Sequence, residues 1–174
     1  MISKNYKPGG LMNRIIVCSK QELSTLPYGE NAALILINDP YMGRESTDLK
    51  SYSQVLELAF HNIDPEGLRS IDLAGHVVFN PSHAREILEF SERVNKDPSV
   101  TDLIVASKHG RSRSVSIGKV LSAIYGVRLE SRKTLLFGNE YVKNVLVAEC
   151  RKTRTISATE KHETLEPTAL VDER

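Results

Sequence analysis

The residues of this chain that could do chemistry are concentrated in the stretch DLIVASKHGRSRSVS, residues 102–116. An apolar run there meets a short basic turn that contains Gly110, and a pattern typical of a helix follows. The first N–H groups of a helix have no partner within the helix, and the helix dipole favours negative charge at that end. A strand, a tight turn and a helix start in this order therefore predict an anion site.

The residue types in this turn suit a phosphoryl group. Gly110 allows the backbone to curl closely around an anion because it has no Cβ, and successive turn amides can form a concave nest. The planar guanidinium of Arg113 can hold two phosphoryl oxygens at once. A nucleoside-triphosphate P-loop is excluded, since no Gly-Lys-Ser/Thr follows four residues after a glycine. The predicted phosphate-binding residues are Ser107, Lys108, His109, Gly110, Arg111, Ser112, Arg113 and Ser114. A polar connecting loop without a ligand is the alternative interpretation.

The motif VASKHGRSRS, residues 105–114, resembles the signature of the cysteine-dependent protein tyrosine and dual-specificity phosphatases. In that family a His-Cys pair is followed by five residues, an arginine, and then serine or threonine. Gly110, Arg113 and Ser114 occupy the positions that the family pattern requires. The strand, loop and helix around the motif extend the resemblance to about residues 54–126, and in size the chain is similar to the small bacterial and phage-type members.

Two positions depart from the family pattern: Ala106 stands where histidine is usual, and Ser107 stands where the nucleophilic cysteine is expected. The resemblance implies hydrolysis of phosphomonoesters through a phosphocysteine intermediate, without a metal or cofactor. A serine hydroxyl is far harder to ionise than a thiol, so we expect this loop to bind a phosphoryl group without turning it over. We favour an engineered replacement of the cysteine. The alternatives are a natural pseudophosphatase that reads phosphate, and a structural loop that never bound it.

A proton donor for the leaving oxygen is the third catalytic group that the resemblance implies, beside Ser107 and Arg113. In the family it is an aspartate on a loop that follows an earlier strand. Asp64, in FHNIDPE, is our first choice, and Asp72, in SIDLAG, is the second. Asp64 also has a simpler interpretation as a turn residue, because Asp-Pro pairs commonly begin turns. The connection over residues 65–79 is long, which is typical of functional lids.

The elements that must position these groups follow from apolar periodicity and from end signals. β-branched apolar runs predict strands over residues 14–19, 32–38, 53–60 and 101–107. Asp39-Pro40 closes the second strand. Asn80 and Pro81 predict a helix start, and Gly126 predicts the end of the helix that follows the basic turn. A last helix is expected over residues 139–150. Strands that alternate with helices predict a single α/β domain with a mostly parallel central sheet flanked by helices, and with the phosphate-binding loop between a strand and a helix.

Composition divides the chain into three parts. Residues 1–11, which include Pro8-Gly9-Gly10, are predicted to form a flexible arm. Residues 12–150 are predicted to form the phosphatase-like domain. Residues 151–174 are polar, charged and aperiodic, so we expect a mobile tail there.

Charge and cysteine content limit the partners. The formal net charge is +1, from 23 basic and 22 acidic residues, so the chain has no general basic field for nucleic-acid binding. Lys108, His109 and Arg111 nevertheless favour a polyanionic substrate: an acidic phosphoprotein segment, a phosphoinositide or an RNA 5′ end. Cys18 and Cys150 make neither a disulfide framework nor a metal site, and no run is long enough to span a membrane, which favours a cytoplasmic protein. The remaining candidates for chemistry, His76 and His83, are interpreted as surface or packing residues.

Overall fold

The computed structural model of the chain describes residues 12–26, 30–42, 49–65, 73–131 and 138–163. Its strands are β1 (Arg14–Ser19), β2 (Ala32–Asn38), β3 (Gln54–Ala59), β4 (Asp102–Ser107) and β5 (Arg128–Ser131). Its α-helices are α1 (Lys20–Leu23), α2 (Pro81–Lys96), α3 (Arg113–Tyr125) and α4 (Glu140–Glu163), with a 3₁₀ turn at Leu49–Ser51. The predicted α/β class is confirmed. The predicted N-terminal arm, residues 1–11, lies outside the described residues.

The five strands form one all-parallel sheet in the order β3-β2-β4-β1-β5. Strand β4 is central, and its last residue, Ser107, lies opposite Ser19 of β1 and Ile37 of β2. The chain passes from β1 out to β2 and β3, and later returns to insert β4 between β1 and β2. Open parallel sheets bind ligands outside the carboxyl ends of their strands, at a point where the strand order reverses. The loop after Ser107 leaves the sheet at such a point.

Both faces of the sheet are covered, which explains why β2 and β4 are apolar almost throughout. The larger core joins α2, α3 and α4 to one face of the sheet and includes Ile35, Ile87, Leu103, Ile117 and Leu146. The smaller core, on the other face, includes Ile16, Leu23, Leu34, Leu36 and Ile104. All of these side chains are buried, so the backbone at the carboxyl ends of the strands is held in place by a packed core.

The ends of α2 and α3 lie where the sequence signals predict them. The Asn80 side chain accepts hydrogen bonds from the N–H groups of Ser82 and His83, and His83 Nδ1 accepts one from the Asn80 N–H. This reciprocal capping box, with Pro81 at the first position, fixes the start of α2. Gly126 ends α3 in the left-handed conformation with φ +65°.

The last helix is longer than predicted. It was expected to end near Cys150, but α4 continues to Glu163, so residues 151–163 are helical rather than part of an irregular tail. Residues 151–155 are exposed and make no apolar stripe, which is why periodicity did not reveal them. Local bonds support this part of the helix: Lys152 lies 3.2 Å from the Glu149 carboxylate, and Thr153 Oγ1 donates to the Glu149 carbonyl. Residues 164–174 lie outside the described residues. None of the described helices combines the length and apolar character needed to cross a membrane.

Candidate functional site

The turn between β4 and α3 rests directly on the end of β1. Gly110, at its centre, has φ +65° and approaches the backbone of β1 so closely that a Cβ would lie 2.5 Å from the Ser19 nitrogen. The same Cβ would lie 2.6 Å from the carbonyl carbon of Cys18. Only glycine combines this backbone conformation with this approach, so Gly110 fixes the path of the turn over the sheet edge.

The amino end of α3 lacks the side-chain cap that α1 and α2 both have. The N-cap residue, Ser112, makes no capping hydrogen bond; its Oγ instead donates to Asn62 Oδ1 at 2.9 Å. Helices α1 and α2 both begin with complete capping boxes. The first N–H groups of α3 therefore receive no acceptor from their own N-cap, and an external anion is the acceptor that such groups favour.

Ser107 lies at the base of the turn, where β4 ends. It is 3% exposed, and its Oγ lies 2.8 Å from Oγ of Ser114, which is fully buried. This hydrogen bond joins the end of the strand to the first turn of α3. The position predicted for the nucleophile and the position after the predicted arginine are therefore in direct contact.

Arg113 is almost completely buried and is held by the ends of two strands. Its Nη1 donates to the Phe60 carbonyl at 2.5 Å and to the Asn38 carbonyl at 3.3 Å, while its Nη2 lies 2.6 Å from Asp39 Oδ1. The guanidinium carbon also lies 5.8 Å from the centre of the Phe60 ring. A buried charge is tolerated where it is paired and hydrogen-bonded, and these contacts fix the guanidinium in place.

Asp39 is a site residue that the sequence analysis missed. Besides its ion pair with Arg113, its Oδ2 lies 3.9 Å from Nζ of Lys108. Asp39-Pro40 was interpreted only as a strand end. The sequence shows only that Asp39 directly follows an apolar strand. That β2 lies beside β4, so that the residues after both strands meet at one edge of the sheet, comes from the structure.

The two aspartates proposed as proton donors have different outcomes. Asp64 is exposed and is not among the residues that line the cleft in the described part of the chain. The segment before it is nevertheless fixed beside the site, because the Asn139 side chain donates to Asn62 Oδ1 at 3.1 Å and to the Ile63 carbonyl at 3.2 Å. Asp72 lies outside the described residues. Asn139, at the start of α4, is a second contributor that the sequence analysis missed.

These groups surround a cleft of about 470 Å³ at the carboxyl edge of the sheet. Six of the eight predicted phosphate-binding residues line it; Gly110 faces β1, and Ser114 is buried beneath Ser107. Lys108, His109 and Arg111 are exposed at its mouth. The lining comprises Ser19, Gln21, Asn62, Ser107, Lys108, His109, Arg111, Ser112 and Arg113.

The histidines and cysteines show no arrangement for metal chemistry within the described residues. His83 packs against the rings of Phe60 and Phe79, and burial lowers its pKa below the usual value despite the opposing charge of Glu86. Neither Cys18 nor Cys150 forms a disulfide with another described residue. No group of three or more His, Cys, Asp or Glu side chains that could hold a metal ion occurs in the part of the chain described.

No protein family, no curated protein and no solved structure matches the chain. The assignment of function therefore depends on the site itself: a buried arginine, two buried hydroxyls and an uncapped helix start around one polar cleft.

Proposed function

We propose that the chain is a phosphomonoester hydrolase of the protein tyrosine and dual-specificity phosphatase type, in a form silenced by serine at position 107. The observation that carries the proposal is the position of Arg113, a residue that is 5% exposed, lines the cleft and lies six positions after Ser107. A fixed guanidinium beside a nucleophile is the arrangement that phosphoryl transfer needs, because catalysis there is mostly positioning and charge stabilisation.

The proposed reaction assigns one role to each group. With cysteine at position 107, the thiolate attacks phosphorus, and the bond from phosphorus to the leaving oxygen breaks. An aspartate, Asp64 as first choice, gives its proton to that oxygen, and water later cleaves the phosphocysteine. Arg113 and the first amides of α3 stabilise the charge on the equatorial oxygens, while the Ser114 hydroxyl, 2.8 Å from the side chain at position 107, can donate to the thiolate.

Serine at position 107 should preserve binding of the phosphoryl group but removes the nucleophile. We favour an engineered replacement, because Arg113 and Ser114 keep positions beside residue 107 that suit the proposed chemistry. A natural pseudophosphatase that binds phosphate without hydrolysing it, a phosphate reader, is the second candidate. It is favoured by the hydrogen bond between Ser107 and Ser114, which gives the serine hydroxyl a partner without any need for catalysis. The partner in either case is a phosphorylated protein or another phosphomonoester, and two cysteines that form no disulfide within the described residues favour a cytoplasmic setting.

The substitution Ser107→Cys distinguishes a silenced phosphatase from a natural phosphate reader. The uncapped helix start and the Ser114 hydroxyl should lower the pKa of the new thiol from the free value of about 8.5. We expect iodoacetate to alkylate it faster than Cys18 or Cys150, with inorganic phosphate protecting it, and an aryl phosphate to be hydrolysed. Ser107→Ala is the matched control, which should bind phosphate and remain inert.

Two results would count against the enzyme assignment. A folded Ser107→Cys variant that binds phosphate but hydrolyses no member of a broad phosphomonoester panel would favour the reader. Activity that a chelator abolishes would contradict the proposed chemistry, which uses no metal. Phosphate titration followed through the amide signals of residues 108–114 tests the binding step shared by both candidates. Unmoved signals there, with movement elsewhere, would place the anion site outside this turn.

A further inference from the structure

A second cavity, the α3–α4 groove, lies between helices α3 and α4 and shares no lining residue with the cleft at the carboxyl edge of the sheet. Its volume is about 310 Å³, at the lower end of the range of about 300–1,000 Å³ that is typical of small-molecule pockets. On α4 the lining extends from Glu140 to Arg154, which is about 21 Å of helix. The groove is long for its volume, and a slender ligand fits that shape.

The floor of the α3–α4 groove is apolar. Val120, Ile124 and Val147 line it, and all three belong to the larger core or pack against it. Ala123, on the same face of α3, lines the groove with a small and exposed side chain. An apolar chain laid on this floor removes apolar surface from water on both sides of the contact, which favours binding.

Positive charge surrounds this floor. Lys119, Lys143, Arg151 and Arg154 line the groove, and Glu140 is the acidic residue of the described lining. Glu140 is already paired with Lys143, at 2.8 Å. Neither Lys119 nor Arg151 forms an ion pair within the described residues. An anionic group on the ligand is therefore the charge that complements the groove.

We infer that the α3–α4 groove binds a medium-chain fatty acid, with the carboxylate at Arg151 and the alkyl chain along the apolar floor. The planar guanidinium can hold both carboxylate oxygens at once, which is why the carboxylate is assigned to Arg151 rather than to Lys119. The surrounding cations disfavour a positively charged amphiphile, and a short anion such as acetate leaves the floor uncovered. This inference goes beyond the proposed function and does not depend on it.

Isothermal titration calorimetry with four ligands tests both halves of the inference. Decanoate, decanol, decyltrimethylammonium and acetate are compared on the full chain, each below the concentration at which it forms micelles. We expect decanoate to bind about tenfold more tightly than decanol, since a charge-assisted contact is added. Acetate and decyltrimethylammonium should show no measurable binding.

Three variants locate the carboxylate and the chain. Arg151→Gln should remove the tenfold difference and leave the affinity for decanol unchanged. Lys152→Gln, at a neighbouring cation that does not line the groove, is the matched control and should change neither affinity. Ala123→Phe fills the groove and should abolish binding of both ligands, and because Ala123 is exposed the variant should keep the thermal unfolding midpoint of the parent chain.

Cys150 provides an independent report of where the ligand lies. It lines the groove and is half-buried, whereas Cys18 is buried in β1. Decanoate should slow alkylation of Cys150 by iodoacetamide, measured by mass spectrometry of the peptide that contains it. Inorganic phosphate, which is expected at the turn between β4 and α3, should neither slow this reaction nor displace decanoate.

Three results would overturn the inference. Equal affinities for decanoate and decanol, or equal weakening of both by Arg151→Gln, would show that Arg151 does not hold a carboxylate. Displacement of decanoate by inorganic phosphate would place the fatty acid in the cleft at the carboxyl edge of the sheet. Protection of Cys150 that rises with protein concentration, together with a dimer in sedimentation, would make the groove an interface between two copies of the chain. The proposed function is tested separately, by the Ser107→Cys variant.

Discussion

Gly110 and Gly126 form a natural pair for testing how the turn between β4 and α3, the proposed phosphate-binding turn, is built. Both have φ +65°, but a Cβ at Gly110 would lie 2.5 Å from the Ser19 backbone nitrogen, whereas one at Gly126 would meet nothing within 4 Å. Replacing each glycine by alanine therefore imposes the same backbone strain at both positions. A backbone collision is added only at Gly110.

The expected losses of stability follow from these surroundings. A left-handed conformation costs an L-residue about 1–2 kcal/mol. Alanine returns about 0.4–1 kcal/mol by restricting the unfolded chain. Gly126→Ala should therefore lower the free energy of unfolding by about 1 kcal/mol. Overpacking adds about 1–3 kcal/mol, so Gly110→Ala should lower it by about 2–4 kcal/mol.

Urea denaturation of the two variants and the parent chain measures these losses, and phosphate titration reports the geometry of the turn. Gly110→Ala should also weaken phosphate binding, because relief of the collision moves the turn away from β1. Gly126→Ala should leave phosphate binding unchanged. Equal losses of stability in the two variants, with phosphate affinity retained in both, would refute the proposed seating of the turn.

Three further predictions concern single side chains. Asp39→Ala removes the carboxylate beside buried Arg113. Because the Asp39 side chain is 24% exposed, we expect the free energy of unfolding to fall by about 1–3 kcal/mol, less than the full cost of breaking a buried pair. An unchanged midpoint in urea denaturation would contradict a stabilising ion pair between Asp39 and Arg113. Burial lowers the pKa of His83, so protonation favours the unfolded state, and stability should fall as the pH drops from about 6.5 through the folded-state pKa. His83→Gln keeps an acceptor for the capping box but does not titrate, so this pH dependence of stability should become flatter. Denaturation curves measured across that pH range test the prediction. In the Ser107→Cys variant, Asp64→Asn should slow hydrolysis of alkyl phosphates more than of aryl phosphates, whose leaving groups need less protonation. Equal slowing in steady-state assays would move the proposed acid role elsewhere.

Most of the fold could be predicted because its elements carry strong local signals. The apolar runs of β1 and β2 gave their bounds, and Asn80 and Gly126 marked helix ends through capping. β5, with the sequence RLES, was missed because it is four residues long, lies at the sheet edge and is only partly buried. The single turn of α1 was missed for a similar reason, since four residues establish no periodicity.

The candidate site was only half predictable. The turn after β4 is contiguous in sequence, so residue types and spacing identified it. The groups that hold Arg113 come from the ends of β2 and β3, and the Asn38 carbonyl that it contacts is 75 positions away. No local spacing connects such positions. Only the order of the strands, which inserts β4 beside β2, brings Asp39 to the guanidinium.

The central position of β4 has a consequence for synthesis of the chain. β2 and β3 can pair as soon as they leave the ribosome, but both neighbours of β1 are made much later, at residues 102–107 and 128–131. At about 5–20 residues per second, the nascent chain keeps β1 without its partners for several seconds, with both edges open to mispairing. The arrival of β4 joins the two parts of the sheet. Because Ser107 is the last residue of that strand, the proposed phosphate-binding turn emerges only after β1 to β4 have been made, and before the helices α3 and α4 that complete the larger core.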